Sequence, residues 1–308
     1  MTTSSTNRTV YVIAGPTAVG KSAVAFQLAK RIGGEIVNCD SVQLYKYMDI
    51  GSAKPTVREM KEVPHHLFNL VEPSYHMSAA KYQKLAFTVI DNILARGKTP
   101  ILVGGTGLYL NSVLYKMDFA RKPVNMERRR ALEHLAEKRG NQYLYELLTA
   151  VDPDAASRIH PNNTRKVIRA IEAYELGSQI KPMDELEKNT DYDFRVYGLT
   201  MNRPWLYDRI NRRVIRLFKD GLLDEVKELL ARGYDETCPA MKGIGYKEVL
   251  RYFRGNLSFK DCVLEIQKNT RHYAKRQLTW LRRYGDIRWI EISKGMSVGN
   301  IVDLIMNL

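Results

Sequence analysis

Gly15-Pro16-Thr17-Ala18-Val19-Gly20-Lys21-Ser22 is the stretch that decides how the chain is read. It meets the pattern G-x-x-x-x-G-K-[ST] at every fixed position. Ahead of it, Thr9 to Ala14 (TVYVIA) is a β-branched apolar run that reads as a buried strand. Behind it, Ser22 to Arg31 (SAVAFQLAKR) is rich in helix formers. Gly15 and Gly20 let the backbone curl so that successive N–H groups point inward, over the positive end of the helix dipole. Lys21 adds a mobile charge for phosphate oxygens, and the Ser22 hydroxyl can hold Mg²⁺. The motif specifies a polyphosphate and leaves its identity open.

The strand after the first helix, Gly34 to Cys39, ends in Asp40-Ser41-Val42-Gln43. Ligand groups in open α/β sheets collect at the carboxyl ends of strands, so Asp40 either faces whatever the loop holds or caps the next turn. Residues 45 to 78 carry no sustained period and are interrupted by Pro55, Pro64 and Pro73; a loop of that length is usually functional. His65 and His66 are adjacent and share no face, so no metal pair is read there. Ala79 to Arg96 reads as a helix closed by Gly97, followed by a strand Pro100 to Val103 that runs into Gly104-Gly105-Thr106-Gly107. In phosphate-loop NTPases a comparable strand ends in an acid that helps to hold Mg²⁺. Glycines stand here instead, so the loop is expected to bind a di- or triphosphate without the usual hydrolysis machinery.

From Asp118 to about Arg195 the character changes. Three helical stretches, MERRRALEHLAEKRG, QYLYELLTAV and NNTRKVIRAIEAYELG, are separated by Gly140 and by turns at Asp152-Pro153 and His160-Pro161. Phe194 to Leu199 then returns to strand. The expected architecture is therefore a parallel α/β sheet of the phosphate-loop (P-loop) NTPase type flanked by helices. Its core spans 1–117 and 196–308, and 118–195 form a mainly helical insertion. Arg165 and Arg169 share one face of the third inserted helix, as a binding face or a solvated one. Beyond the strand, PWLYDRINRRVIRLFKDG carries an arginine stripe through Arg209, Arg213 and Arg216, and Lys242 to Lys247 reads as a glycine-loosened basic loop. Arg271 to Tyr284 (RHYAKRQLTWLRRY) holds five Lys/Arg and no acid. As a helix it aligns Tyr273, Arg276, Gln277, Trp280 and Arg283, a pattern suited to tracking phosphates and stacking bases, or to packing by Tyr273 and Trp280 alone.

The 308-residue chain has a formal net charge of +14 and 44% hydrophobic residues. That excess of charge points to a nucleic acid or another anionic partner. The three cysteines, Cys39, Cys238 and Cys262, have no zinc-site spacing and suit a reducing cytoplasm. The polar N-terminus shows no signal peptide, and no apolar run approaches the ~18 residues of a membrane span.

GPTAVGKS, DSVQLYKYMDIGSAKP, PHHLF, ILVGGTGLYL, DPDAASRIHPNNTRKVIRAIE, GIGYKE and YAKRQLTWLRR stand in the order found in tRNA dimethylallyltransferases, and from about residue 9 to about 291 the chain closely resembles that family. The resemblance implies transfer of a dimethylallyl group from dimethylallyl diphosphate to N6 of adenosine 37 in the anticodon stem-loop, with Mg²⁺ as cofactor. Gly15, Pro16, Thr17, Ala18, Val19, Gly20, Lys21 and Ser22 would then grip the leaving diphosphate, with Ser22 on the metal and arginines such as Arg209 assisting. It further implies that Asp40 is the general base and that Thr106 lies near the reacting centre. Asp40, Ser41, Val42, Gln43, Thr106, Arg129, Arg165, Lys166, Arg169, Lys242, Gly245, Tyr246, Lys247, Lys275, Arg276, Gln277, Trp280 and Arg282 match segments that touch tRNA. Eukaryotic relatives carry a C-terminal zinc finger; the chain stops at Leu308 without one, so a bacterial type, monomeric and cytoplasmic, is expected. Three other readings are a small-molecule P-loop kinase, an RNA-binding protein using nucleotide as a switch, and an adenylate prenyltransferase acting on AMP or ADP. The basic tail argues against the last, since a mononucleotide has no loop to grip.

Overall fold

The computed structural model describes residues 8–117, 119 and 125–308. The polar N-terminus read above and the first residues of the expected insertion lie outside the described residues. The described chain falls into two compact units, Met1–Tyr115 with Asn189–Leu308, and Lys116–Lys188.

The first unit is built on the apolar strand ahead of the phosphate loop, β1 (Thr9–Ala14). It is followed by α1 (Lys21–Ile32), β2 (Glu35–Cys39), α2 (Val57–Glu62), β3 (His65–His66), α3 (Ala79–Ala95), β4 (Pro100–Gly104) and α4 (Gly107–Leu114). β1 lies between β4 and a strand from far along the sequence, Asp193–Met201, which takes its place as β5 below. The order among the described residues is β3-β2-β4-β1-β5-β6, with β6 at Arg288–Ile292, and every pairing is parallel. Parallel strands covered on both faces read as continuous apolar runs, which is why TVYVIA and PILVG were legible. α1 lays Val24, Ala25, Leu28 and Ala29 on the sheet beside Ile13, Ile36 and Ile101.

The second unit contains α5 (Met126–Val151), α6 (Pro153–Arg158) and α7 (Thr164–Glu175). Leu132, Ala136, Leu144 and Leu148 of α5 pack with Val167, Ile168 and Ile171 of α7 in a core of their own. The chain then re-enters the first unit through β5 and continues as α8 (Arg203–Lys219), α9 (Leu222–Ala231), α10 (Tyr246–Phe253), α11 (Phe259–Leu281), β6 and α12 (Val298–Asn307). α8 to α11 share a second core that includes Val214, Leu217, Val226, Leu229, Val249 and Ile266, and Tyr45 and Met48 from the loop after β2 join it.

Several expectations are corrected. The first unit resumes at Asn189, before residue 196, because Asp193 already pairs with Thr9 and the Thr9 hydroxyl donates to Asp193 Oδ2 at 2.9 Å. The first two inserted helices form one run broken at Gly140, whose φ of 84° and ψ of 162° leave the helical region. Asp152-Pro153 opens a helix: Asp152 Oδ1 accepts from Ala155 N at 2.9 Å and Pro153 fits the first turn. Inside the long loop, Thr56 and Glu59 form a capping box that starts α2. The basic C-terminal stretch is the end of a longer helix, α11, and the basic loop at Lys242 to Lys247 is short, Gly243 to Gly245, between a 3₁₀ turn that ends at Lys242 and α10, which starts at Tyr246.

Where β4 meets β2 the backbone approach is close: a Cβ added at Gly104 would stand 2.0 Å from the Cys39 carbonyl oxygen. Gly104→Ala should therefore force the two strand ends apart and cost about 3 kcal/mol or more. Urea denaturation measures this; a loss under about 1 kcal/mol would mean that the strands have room to spare.

Candidate active site

The ends of β1, β2 and β4 converge because parallel strands deliver their carboxyl termini to one edge of the sheet. After β1 the loop makes the turn its glycines predict. Gly15 has a φ of 154° and Gly20 one of 110°, and a Cβ on Gly15 would meet the Leu199 carbonyl oxygen at 2.7 Å. Ala18 also lies at positive φ, 65°, a cost that its neighbours hold in place. Arg209 Nε, on α8, donates to Ala18 O at 3.1 Å, and Thr17 N donates to Gln277 Oε1 at 2.8 Å. Gly20 caps α1 without a side chain, leaving the first amides of the helix to serve an anion.

Lys21 Nζ curls back to donate to Pro16 O at 2.9 Å. The residue as a whole is half-buried, but its ammonium lies deep. Burial lowers its pKa from 10.5 to about 8; Asp40 opposes that shift, and Arg213 adds to it. Arg213 is lowered for the same reason, and Asp40 again supports its charge. The Arg213 guanidinium donates to Thr17 Oγ1 at 3.3 Å and to Ser52 O at 3.4 Å. Two cations and the Asp40 carboxylate therefore share one enclosure, a cavity of about 610 Å³ including its open mouth. Its lining includes the polar Thr17, Lys21, Ser22, Asp40, Gln43, Arg213 and Gln277 and the apolar Ala25, Ile36, Phe68 and Val103.

Asp40 serves a turn as well as the cavity. Its Oδ1 accepts from Val42 N at 2.9 Å, and among the described residues Oδ2 has no hydrogen-bond partner. Beside it, Thr106 Oγ1 accepts from Ser41 N at 3.0 Å. The hydroxyl of Tyr273, on α11, bonds to Thr106 and feels the Asp40 charge; burial dominates and raises its pKa well above the usual tyrosine value. Gln43 Nε2 reaches Ser52 O and Ala53 O, both at 3.1 Å.

The remaining residues named from the sequence divide into exposed and buried sets. Lys242, Lys247, Lys275, Arg276 and Arg282 are exposed on the first unit. Arg165 and Lys166 are exposed and Arg169 half-buried on the second, where Arg129 is bound by both oxygens of Glu172, at 2.9 and 2.6 Å. Tyr246, Gly245 and Gln277 are not surface residues. The Tyr246 ring is fully buried and its hydroxyl donates to Glu225 at 2.8 Å. Gln277 is 5% exposed, held by Thr17 N and by its own bond to Gly105 O at 3.0 Å. Trp280 is half-buried, with its indole N–H on Asn111 Oδ1 at 3.1 Å. The side chains of Tyr246 and Gln277 make packing and bridging contacts within the fold, and Gln277 also lines the cavity. Arg213, Phe68 and Tyr273 were not named as site residues, although Arg213 stands in the arginine stripe at i, i+4 from Arg209, Phe68 in PHHLF and Tyr273 among the aromatics of the basic helix.

Among the described residues no group of three or more His, Cys, Asp or Glu side chains is gathered to hold a metal. Ser22 and Asp40 nevertheless present the hard oxygen donors that Mg²⁺ takes when substrate phosphates complete its shell.

The depressed pKa of Lys21 has a measurable sign. Between pH 8 and 10.5 the unfolded chain binds more protons at this position than the folded one, so the stability of the ligand-free protein gains with pH across that window. Lys21→Met should raise ligand-free stability at pH 7 by roughly 1–3 kcal/mol, with the advantage shrinking above pH 8, while diphosphate affinity is lost. Paired urea titrations at pH 7 and 10 test this; equal stabilities at both would remove the strained ammonium from the site.

Comparison with known proteins identifies the family. The family model described as IPP transferase matches residues 43–284. The tRNA dimethylallyltransferase of Alkaliphilus oremlandii is 48% identical over 297 residues, covering 96% of this chain and 95% of its own. The crystal structure of a tRNA isopentenylpyrophosphate transferase from Bacillus halodurans is 40% identical, with a TM-score of 0.72 over 98% of this chain and 96% of that one. A eukaryotic dimethylallyltransferase captured acting on tRNA superposes with a TM-score of 0.79 at 30% identity, over 92% of this chain and 74% of that one. A phosphate loop facing a lone carboxylate, on a sheet shared with these proteins, places the chain in the IPP transferase family, among the tRNA dimethylallyltransferases.

Proposed function

We propose that this chain transfers the dimethylallyl group of dimethylallyl diphosphate to N6 of adenosine 37 in the tRNA anticodon loop. The observation that carries the reading is one cavity lined by phosphate-loop groups, Arg213 and Asp40 together with the apolar Ala25, Ile36, Phe68 and Val103. β4 ends in Gly104 rather than an acid, which favours a held and departing diphosphate over nucleotide hydrolysis. The relatives' names supply the two substrate classes.

In this reading the allylic C1–O bond breaks and its electron pair leaves with the diphosphate. Loop amides, Lys21, Arg209 and Arg213 stabilise that charge. A Mg²⁺ ion held by Ser22 and phosphate oxygens would neutralise part of the leaving charge. The N6 lone pair forms the new N–C1 bond, and Asp40 accepts the N6 proton. Thr106 and Tyr273 border the carboxylate and orient the incoming amine. The adenine must leave the anticodon stack to reach this depth. The exposed Lys275, Arg276, Arg282, Lys242 and Lys247 track RNA phosphates, and Arg165, Lys166 and Arg169 do so from the helical insertion. The protein acts as a monomer in the cytoplasm. Its three cysteines are free and buried, and no described helix is long and apolar enough to cross a membrane.

The direct test mixes protein, Mg²⁺, labelled dimethylallyl diphosphate and unmodified tRNA, then digests the RNA; absence of prenylated adenosine would sink the reading. Asp40→Asn keeps the shape and the acceptor to Val42 but removes the charge. It should lower turnover by ~10²–10⁴ while diphosphate affinity changes little. Loss of Mg²⁺-dependent diphosphate binding would instead make Asp40 chiefly a metal ligand. Replacing Lys275, Arg276 and Arg282 together by Ala should weaken tRNA binding and flatten its log–log salt dependence by roughly 0.7–0.9 unit per lost phosphate contact. An unchanged slope would leave those charges as solvated surface.

A further inference from the structure

Glu225 lies on α9, away from the cavity, yet it is only 9% exposed. Its carboxylate is the focus of four hydrogen bonds. Asp49 N and Ile50 N donate to Oε2 at 2.7 and 2.6 Å, while Gly51 N and the Tyr246 hydroxyl donate to Oε1 at 2.9 and 2.8 Å. A carboxylate has about four lone-pair positions, so this one is saturated and has no capacity left for a metal or ligand. What it holds is a turn of backbone, Asp49 to Gly51.

That turn leads directly into the cavity wall. Ser52 and Ala53 line the cavity, and their carbonyls receive Gln43; Ser52 O also receives Arg213, which in turn reaches Thr17 of the phosphate loop. The turn does not hold this shape by preference. Tyr47 and Ala53 stand at φ of 63° and 49°, in the left-handed region that non-glycine residues rarely adopt. Its far side rests on the Tyr246 ring, which a Cβ at Gly51 would overlap at 2.5 Å. A second anchor, Lys54, has a side chain only 2% exposed and bonds Tyr45 O at 2.5 Å and Asp49 Oδ1 at 2.7 Å.

We propose that Glu225 is a positioning residue for the reaction: its carboxylate, steadied by Tyr246, fixes the Asp49–Gly51 turn and thereby sets where Ser52, Gln43 and Arg213 meet the substrate. The proposal rests on reading the cavity as the diphosphate substrate's site. Glu225 touches no reacting atom and acts through the turn. Charge-assisted bonds to successive amides make it stiff in a way that an amide side chain cannot copy, because an amide offers a single acceptor oxygen and turns an N–H₂ toward other donors.

The test compares wild type with Glu225→Gln, and with Tyr246→Phe, which removes one of the four bonds. Three measurements are made on the full chain: amide hydrogen exchange over 44–55, inorganic diphosphate binding, and steady-state kinetics with each substrate varied. Glu225→Gln should lose protection in 44–55 alone. Its kcat/KM for dimethylallyl diphosphate should fall by about 10- to 100-fold, with the KM for tRNA holding near wild type. Tyr246→Phe should lie between the two, and it remains informative if Glu225→Gln does not fold. The proposal falls if protection is unchanged, if protection is lost while the kinetics stay the same, or if both KM values and the melting temperature shift together as in general destabilisation. If wild type itself fails to bind inorganic diphosphate, the reading of the cavity falls and the proposal with it. If wild type binds while Glu225→Gln retains full kcat/KM, only the proposal fails.

Discussion

The side-chain amide of Gln277 ties the phosphate loop and the end of β4 to α11. Its oxygen receives Thr17 N, 260 residues away, and its nitrogen donates to Gly105 O, 172 residues away. Both ends of the buried amide are satisfied, so the group is inexpensive to bury and costly to replace. A residue limited to one hydrogen-bonding sense could not hold an N–H and a carbonyl at once. The space left for it is tight, since a Cβ on Gly105 would come within 2.3 Å of its nitrogen. The phosphate loop and the end of β4, already neighbours through the β1–β4 pairing, are thereby tied to α11 by a neutral clamp, and α11 also carries Tyr273 to Thr106.

Around that clamp the charges are arranged against their own solvation. Burial works on Lys21 and Arg213, and the Asp40 carboxylate is the compensating charge common to both. An enclosure holding two cations and one anion retains an excess of positive potential, which is what a polyphosphate requires. Apolar groups in the same lining sharpen this, because charges beside them are screened less than charges facing water.

How much of this was legible follows from what each feature depends on. The phosphate loop, the buried strands and the acid-free end of β4 depend on neighbouring residues, and the linear sequence displays them. Arg209 over the loop and Asp40 at the end of β2 were within reach because helix period and strand ends are local geometry. Tyr246 and Gln277 were not, since a basic or aromatic neighbourhood says nothing about which polar side chain finds a buried partner on a distant element. Glu225 looked like one more acid on an amphipathic helix, and only the folded turn at Asp49 to Gly51 reveals its use. The capping box at Thr56 and Glu59 is a different case: its signature was present in the sequence but was overlooked among prolines.

The sheet order has a consequence for how the molecule comes into being. β1 leaves the ribosome early but is flanked by β4 and β5, the second of which starts at Asp193. Gly15 settles against Leu199, and Thr17 against Gln277. During synthesis at about 5–20 residues per second, the first strand waits many seconds for the partners that shape its loop. Pairing over such separations makes closure of the sheet slow and late. A nascent chain cut short before α11 would lack the clamp on its phosphate loop however well its earlier helices had formed. The clamp on the phosphate loop thus arrives only with the last third of the chain.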